Sequence, residues 1–219
     1  MLPRGNIRVE QRALGAQREP TNPCNRHVRN ATLRLETDAM NFPERVETER
    51  LLLRWQQESD AAEMFARYTS DPEVTRYLTW GPHRSVDETL AFLRQRESEL
   101  PPGHTFNWLI FPRAGGPLIG SIGCRRDDGH VVQFGYCLAH DSWGQGFATE
   151  ATRAMVRVWL AEPAIWRVQA FCDPVNVASA RVLEKAGLTR EGTLRKYSMT
   201  PNLSDVPCDV HCYARVREE

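Results

Sequence analysis

The alternation of apolar and polar residues becomes regular at about residue 45, where it predicts a strand. Residues 45–55 have an apolar centre, Leu51 to Leu53, of strand length between polar flanks. Two helices are predicted next, because apolar residues recur at spacings of three and four. Their apolar positions are Ala61, Met64, Phe65 and Tyr68 in the first helix, and Leu90, Phe92, Leu93 and Leu100 in the second. The expected N-caps are Ser59 or Asp60, and then Ser85 with Glu88 as a capping box.

Three strand-like runs follow, over residues 106–112, 118–124 and 131–138. They are separated by Ala114-Gly115-Gly116-Pro117 and by Asp127-Asp128-Gly129. Both separators are turn sequences, because glycine tolerates positive φ and aspartate bonds to nearby backbone amides. The three runs therefore predict an antiparallel meander.

After the meander the predicted order changes to helix, strand and helix, over residues 147–160, 167–172 and 177–185, the last ended by Gly187. Such an order is typical of a crossover unit with parallel pairing. Two terminal strands, residues 189–197 and 206–214, complete a mixed α/β sheet. The predicted class is therefore α/β with both antiparallel and parallel strands.

Residues 1–43 show neither helical nor strand periodicity and are rich in Arg, Asn, Thr and Pro. We expect them to form a disordered extension before one domain at residues 44–219. Met40 stands just before the first patterned segment, which suggests that translation naturally starts there. Detection of peptides upstream of Met40 in the native protein would refute that hypothesis.

Composition narrows the function classes. The 28 acidic and 28 basic side chains balance, so strong attraction to nucleic acid or to an anionic membrane is not expected. No apolar run reaches the roughly 20 residues of a membrane-spanning helix, and the N-terminus lacks a secretory signal, so a cytoplasmic location is expected. The six cysteines are expected to be reduced. Cys208, His211 and Cys212 lack a second ligand pair at zinc-finger distance, so no metal is expected.

The most informative segment, residues 141–150, lies between a predicted strand and a predicted helix. Gly144 and Gly146 let the backbone turn sharply and approach a ligand closely, and the helix that follows presents unpaired N–H groups. This chemistry suits an anion, and specifically a pyrophosphate. A P-loop is excluded because Gly-Lys-Ser/Thr is missing, and a dinucleotide fingerprint would need a small residue where Thr149 stands.

Three motifs in order resemble the GNAT superfamily of N-acetyltransferases, and most closely its branch of ribosomal-protein N-terminal alanine acetyltransferases. The superfamily's cofactor turn, Gln/Arg-x-x-Gly-x-Gly/Ala, lies over residues 143–148, with Trp143 in place of Gln or Arg. The second match is residues 176–188, Asn-Val-Ala-Ser-Ala-Arg-Val-Leu-Glu-Lys-Ala-Gly-Leu. The third is the opening Glu47-Thr48-Glu49-Arg50-Leu51-Leu52-Leu53-Arg54, with Gly135-Tyr136 before the turn.

The resemblance implies a GNAT fold, with a mostly antiparallel sheet flanked by helices. The sheet would splay between the parallel strands 131–138 and 167–172, and the pantetheine arm of acetyl-CoA would enter the opening. Main-chain groups of residues 136–138 would pair with pantetheine, and amides of residues 144–149 would bind the pyrophosphate. The implied cofactor-binding residues are Tyr136, Cys137, Leu138, Gly144, Gln145, Gly146, Phe147, Ala148, Thr149 and Asn176.

The implied reaction is direct attack of a primary amine on the acetyl thioester. Much of the superfamily uses a tyrosine as the general acid, but this chain has Leu183 at that position. The general acid is therefore expected to be Ser179, because the serine at this position faces the sulfur in the branch that the chain resembles. The branch commonly has a glutamate where this chain has Gln133, which cannot accept a proton near neutral pH. The base stays unassigned among a water relay, His130 and a carboxylate from the helical substrate side.

The acceptor is expected to be set by the two early helices and the terminal hairpin. Branch resemblance favours a protein N-terminal amine, and a small amine or an aminoglycoside-like antibiotic is the alternative. Gln133 and Leu183 also leave open a non-catalytic module that binds acyl-CoA. The expected partners are acetyl-CoA and an amine acceptor, without nucleic acid or membrane, and the chain is a monomer or a homodimer.

Overall fold

The computed structural model describes residues 42–98, 105–126 and 129–218. Within these residues eight strands form one sheet and five α-helices flank it. The strands are β1 (Arg45–Glu47), β2 (Leu51–Trp55), β3 (Thr105–Pro112), β4 (Gly120–Arg126), β5 (Val131–Leu138), β6 (Arg167–Cys172), β7 (Thr189–Ser198) and β8 (Cys208–Val216). The helices are α1 (Ala61–Met64), α2 (Pro72–Thr75), α3 (Val86–Ser98), α4 (Phe147–Ala161) and α5 (Val177–Lys185).

The strands are ordered β1-β2-β3-β4-β5-β6-β8-β7, and all neighbours are antiparallel except β5 and β6. The parallel pair is joined through α4, as the predicted crossover requires. Its register runs from Val131 opposite Arg167 to Gln133 opposite Gln169 and ends there. Since β5 continues to Leu138 and β6 to Cys172, the two strands separate toward their carboxyl ends. The predicted mixed sheet and its splay are confirmed.

Both faces of the sheet are covered. Strand alternation sends Trp108 and Ile110 to the core that packs against α4 and α5, and Leu109 to the core that packs against the early helices. The first core includes the fully buried Met155 and Trp159 of α4. The sheet is therefore the middle layer between two helical layers, and its splay opens between α4 and α5.

The start of the domain differs from the prediction of one strand. Residues 45–55 form the antiparallel hairpin β1–β2, in which the Thr48 amide donates to the Leu51 carbonyl at 2.9 Å. Phe42 is 2% exposed and packs edge-on against Phe106, with ring centroids 4.9 Å apart. The packed core thus already includes Phe42, two residues before the predicted start of the domain at residue 44.

The early helices also depart from the prediction. A continuous first helix was expected, but a 3-10 turn (Glu58–Asp60) precedes α1 and a π-helical turn (Phe65–Thr69) follows it. Asp60 does not cap α1, because its carboxylate turns back to Arg54 at 2.7 Å and to the Gln57 amide. Ser85 accepts from the Glu88 amide at 3.1 Å, as a capping box requires, but the Glu88 carboxylate accepts from the Arg84 amide instead of the Ser85 amide.

Some predictions lie outside the described residues. These are the extension up to residue 41, the apolar position Leu100 and the turn residues Asp127 and Asp128. Across the described ranges, none of the helices combines the length and the apolar character needed to cross a lipid bilayer. The cytoplasmic location stays a prediction.

Candidate active site

The glycine turn connects β5 to α4 through a 3-10 turn (His140–Ser142). Gly144 and Gly146 have φ angles of 73° and 80°, the left-handed region that favours glycine. A Cβ added to Gly144 would meet no atom within 4 Å, so the backbone faces open space there. The first helical bond runs from the Glu150 amide to the Gly146 carbonyl at 3.0 Å, and the amides of Phe147, Ala148 and Thr149 precede it. This geometry fits a diphosphate.

Two side chains hold the glycine turn in place by donating hydrogen bonds to main-chain carbonyls that precede it. The indole N–H of Trp143 donates to the Leu138 carbonyl at 2.8 Å and thereby ties the turn to the end of β5. The Gln145 side chain donates to the Asp141 carbonyl at 2.9 Å. Trp143 thus stabilises the turn at the position where the related motif has Gln or Arg. The bond also occupies the Leu138 carbonyl, so the Leu138 N–H is the main-chain group of that residue left to pair with a ligand.

A brace from the N-terminal hairpin holds the far side of the turn. The Glu150 carboxylate accepts from the Thr48 hydroxyl at 2.6 Å and from the Arg50 amide at 2.9 Å. Partial burial opposes ionisation of Glu150, but the hydrogen bonds from Thr48 and Arg50 outweigh it and lower the pKa of that carboxyl. Glu150 is therefore a charged structural anchor of the turn.

The gap beside β5 is the second part of the site. Beyond Gln133 the edge of β5 that faces β6 has no ladder partner in the sheet, and Tyr136 and Leu138 turn their main-chain groups to this edge. Cys137 turns its main-chain groups to the opposite edge, where it pairs with Ser121, so its expected main-chain contact with pantetheine is wrong. On the other edge β4 lies very close, because a Cβ on Gly120 would meet the Cys137 carbonyl oxygen at 2.2 Å. Gly120 is thus a residue that the sequence reasoning missed, although its position at the start of a strand was a usable signal.

Ser179 and Tyr136 meet across this gap. The Asn176 side chain accepts from the Ser179 amide at 3.0 Å and so caps α5. The Tyr136 hydroxyl lies 3.0 Å from the Ser179 hydroxyl and donates to the Ser179 carbonyl at 3.3 Å. Burial raises the pKa of the Tyr136 phenol, which therefore stays protonated near neutral pH. The sequence marked Tyr136 only for its main chain, and the hydroxyl pair was missed because 43 residues separate the two hydroxyls.

Of the candidate bases, His130 is not brought to this pair. His130 precedes β5 at the end where β5 and β6 are paired, so six extended residues, roughly 20 Å, separate it from Tyr136. Gln133 accepts from Arg125 at 3.3 Å at the last paired position. Leu183, which stands where an acidic tyrosine was considered, is 1% exposed and belongs to the core.

The predicted acceptor elements are joined by one side chain that the sequence reasoning missed. The Asn202 amide nitrogen donates to the Thr75 carbonyl at 2.7 Å and to the Trp80 carbonyl at 2.8 Å. Asn202 lies in the β7–β8 loop, residues 199–207, and its acceptors lie in and after α2. Tyr197 at the end of β7 packs on Phe171 of β6, with ring centroids 5.0 Å apart, so this loop adjoins the gap.

Titratable side chains outside the turn form no evident metal centre. Over the ranges that the structure describes, no group of three or more His, Cys, Asp or Glu side chains could hold a metal ion. His211 instead bonds to the Thr193 hydroxyl at 2.9 Å. The described cysteines are free thiols, and burial raises the pKa of Cys172 to about 11.

Comparison with known proteins agrees with this geometry. Residues 50–189 match the family described as "Acetyltransferase (GNAT) domain". An uncharacterized N-acetyltransferase, p20 of Bacillus licheniformis, is 30% identical over 152 residues, which are 68% of this chain and 85% of the relative. An acetyltransferase (GNAT family) from Bacillus anthracis has a similar crystal structure, with a TM-score of 0.68, 27% identity and coverage of 80% of this chain and 99% of that one.

A less similar solved structure contains a bound ligand. A RimL ribosomal L7/L12 alpha-N-protein acetyltransferase in complex with coenzyme A has a TM-score of 0.67 and 22% identity, and the alignment covers 79% of this chain and 98% of that chain. At this identity the likeness shows a shared fold.

Proposed function

This chain belongs to the GNAT family of acetyltransferases, and we propose that it transfers the acetyl group of acetyl-CoA to a peptide N-terminal amine. The bound co-substrate supplies an acetyl thioester, which a neutral amine can attack directly. One observation carries the proposal: the sheet opens beside β5 where the glycine turn, with its exposed amides, begins α4. A diphosphate bound at the turn would then continue directly into a pantetheine arm that lies extended along β5.

Roles follow for the residues of the turn and the gap. We assign the amides of residues 144–149 to the diphosphate, because two left-handed glycines and a helix start expose them. Main-chain groups of Tyr136 and Leu138 would pair with the pantetheine arm as a neighbouring strand would, because those of Cys137 face β4. Asn176, whose Oδ1 caps α5, lies where its side chain would meet the arm farther along.

The hydroxyl pair supports a role in stabilising the departing sulfur. A serine hydroxyl is a poor proton source, and burial makes the Tyr136 phenol a weaker acid than usual. We therefore propose that Ser179 stabilises the thiolate by donating a hydrogen bond from its hydroxyl. The single phenol proton of Tyr136, which the Ser179 carbonyl can also accept, is then donated to the Ser179 hydroxyl oxygen and orients it. The amine proton passes to solvent, because Gln133 cannot accept it and His130 lies at the paired end of β5.

Charge on the acceptor side favours a peptide amine over a polyamine. The loop before α3, residues 76–85, carries two arginines and no acidic residue, and the β7–β8 loop carries one aspartate. An acceptor with several positive charges would require a cluster of carboxylates, which these loops lack. The five carboxylates of residues 58–75 are already bound to Arg54, Arg94, His140 and main-chain amides. A single terminal amine has no such requirement.

An amine panel tests the proposal. The full chain is incubated with acetyl-CoA and with peptides that begin with Ala or Ser, spermidine-like polyamines, amino acids and aminoglycosides, and thiol release and product mass are recorded. We expect acetylation of the free peptide N-terminus and none of the same peptide with its N-terminus blocked. Acetylation confined to a small amine would replace the peptide assignment, and coenzyme A binding without turnover of any amine would contradict the proposal.

A further inference from the structure

One side chain, Arg50, joins the opening motif of the chain to the glycine turn. It lies in the turn between β1 and β2, about 100 residues before the segment that it contacts. Its Nε donates to the Glu150 carboxylate at 2.6 Å, and its Nη1 donates to the Gln145 carbonyl at 3.0 Å. The guanidinium carbon also lies 4.8 Å from the centroid of the Phe147 ring. The Arg50 guanidinium thus contacts Gln145 in the glycine turn and both Phe147 and Glu150 in the first turn of α4.

The position of this cation is unfavourable for the helix that it touches. The N-terminus of α4 carries the positive end of the helix dipole, so a positive side chain there is destabilising without a compensating anion. Glu150 supplies one negative charge. The Arg50 side chain is nevertheless 46% exposed, so it is not held there by burial. The helix end and the guanidinium together carry more positive charge than one carboxylate offsets, so an anion beside the turn would be attracted to both.

The geometry also places the guanidinium beside the space that glycine leaves open. Arg50 Nη2 lies 3.4 Å from the position that a Cβ on Gly146 would occupy. With Nε committed to Glu150 and Nη1 to Gln145, the fork is held so that Nη2 borders the exposed backbone of the turn. Arginine suits this arrangement because its planar fork can bind a carboxylate and a phosphate oxygen at the same time.

We propose that Arg50 is a cofactor-binding residue whose guanidinium contacts the diphosphate of acetyl-CoA, with Glu150 as its positioning residue. The inference rests on the proposed function, because it takes the glycine turn as the diphosphate site. It gives the opening motif a role in cofactor affinity besides its packing in the hairpin.

Binding of coenzyme A to Arg50→Gln, measured by calorimetry on the full chain, tests the contact. We expect Kd to rise about tenfold, as for loss of a hydrogen bond to a charged group. The value of kcat at saturating acetyl-CoA should change less than about twofold, since the guanidinium is remote from the thioester. Arg50→Lys keeps the charge without the fork and should give an intermediate Kd.

Two further variants separate a contact from a mere brace. Glu150→Gln removes the carboxylate charge, but the glutamine side-chain oxygen can still accept from Arg50 Nε and hold the fork in position. A direct contact with the diphosphate therefore predicts that Kd for coenzyme A is unchanged or lower. If Arg50 only braces the turn, Glu150→Gln should instead raise Kd, because it breaks the same ion pair that Arg50→Gln breaks. Arg113→Gln is the matched control, since Arg113, directly after β3, pairs with Glu47 of the same hairpin at 3.3 Å. Its Kd should stay within about twofold.

The outcomes are distinguishable. If the parent chain binds coenzyme A and Arg50→Gln binds it equally well, the inference is wrong while the proposed function stands. If Glu150→Gln and Arg50→Gln weaken binding alike, with matching losses of thermal stability, Arg50 is only a brace and the inference is again overturned. If the parent chain does not bind coenzyme A at all, the proposed function itself fails.

Discussion

The donor side and the acceptor side of the site are built by different means. We call residues 131–149 and 167–185 the donor side, and residues 58–85 with the β7–β8 loop the acceptor side. The donor side presents main-chain groups, which an interrupted strand pair and two left-handed glycines leave exposed. The acceptor side is assembled by side chains that bridge distant segments, as Asn202 does between its loop and the chain around α2.

This difference explains why the donor side can be predicted from the sequence and the acceptor side cannot. A backbone site depends on the positions of glycines and helix caps, which stand next to one another in the chain. A side-chain bridge depends on residues that are far apart, such as Thr75 and Asn202, and it has no local pattern. The donor chemistry can therefore be common to a family while the acceptor pocket varies from one member to another.

The largest effect is expected from a substitution that closes the donor turn. Gly146→Trp would force a bulky residue to a φ of 80° beside the Arg50 guanidinium and would block the backbone approach. We predict that binding of coenzyme A falls by more than about 100-fold in calorimetry. Gly115→Trp is the control, because Gly115 has a φ of 87° with no atom within 4 Å of its added Cβ. Unchanged affinity in Gly146→Trp would contradict the assignment of the turn.

Removal of the hydroxyl pair should affect turnover and leave donor affinity nearly intact. Ser179→Ala is expected to lower kcat by about 10- to 100-fold, the value of a hydrogen bond to a charged group. Tyr136→Phe should lower kcat less, by about three- to tenfold, because it removes only the group that orients Ser179. If turnover of Ser179→Ala stays within about twofold, Ser179 does not stabilise the leaving sulfur.

A double-mutant cycle tests whether Tyr136 acts through Ser179. If Tyr136 acts through Ser179, the two losses are not additive, and Tyr136→Phe has little further effect in the Ser179→Ala background. Independent, additive losses would show that Tyr136 serves packing or a separate function.

On the acceptor side, Asn202→Asp should raise the acceptor KM while leaving the acetyl-CoA KM unchanged. The substitution keeps the shape of the side chain but removes both donors to the Thr75 and Trp80 carbonyls. Two hydrogen bonds of about 0.5 to 1.5 kcal/mol each correspond to roughly a five- to tenfold or larger effect. Steady-state kinetics with each substrate varied in turn measures it. Equal changes in both KM values would mean that the two sides are not separable.

The smallest effect concerns pH and also distinguishes the two sides. Burial lowers the pKa of His83, with Glu88 opposing the shift, and its ring bonds to the buried Thr89 at 2.8 Å. An opened loop has an ordinary histidine with a pKa of about 6.5. The neutral ring therefore contributes its full stability above that pH, and this contribution is lost as pH falls toward the folded-state pKa.

Hydrogen exchange of residues 76–90, corrected for intrinsic rates, should thus show weaker protection at pH 5.5 than at pH 7.5. The amides of residues 144–149 should change less, because these residues include no titratable side chain. Bonds from Arg67 also lower the pKa of the nearby Asp141, and bonds from Thr48 and Arg50 outweigh burial to lower that of Glu150. His83→Gln should remove the pH dependence. Persistence of the dependence in that variant would assign it to another group.

Much of the donor side could be predicted, because local chemistry determines it. The bounds of β5, β6 and α5 agree with the predicted ranges, since Asn176 caps α5 and glycines punctuate the turns. The identification of a GNAT acetyltransferase was also confirmed. Apart from the contact of Cys137, the cofactor contacts and the role of Ser179 stay predictions.

The rest depends on contacts between distant residues. The β1–β2 turn contains no glycine, asparagine or proline, and its shape follows from Thr48 and Arg50 binding Glu150 about 100 residues later. Tyr136 could not be paired with Ser179 before the strands were placed. The π-helical turn at Phe65–Thr69 likewise interrupts an ordinary apolar spacing, and Arg67 within it binds Asp141 beside the glycine turn at 2.8 Å.

The most direct test of the account is hydrogen exchange of the full chain with and without coenzyme A. The account predicts new protection concentrated in the amides of residues 134–138 and 144–149, which border the gap and the glycine turn. Protection that appears elsewhere while both segments exchange as before would contradict it.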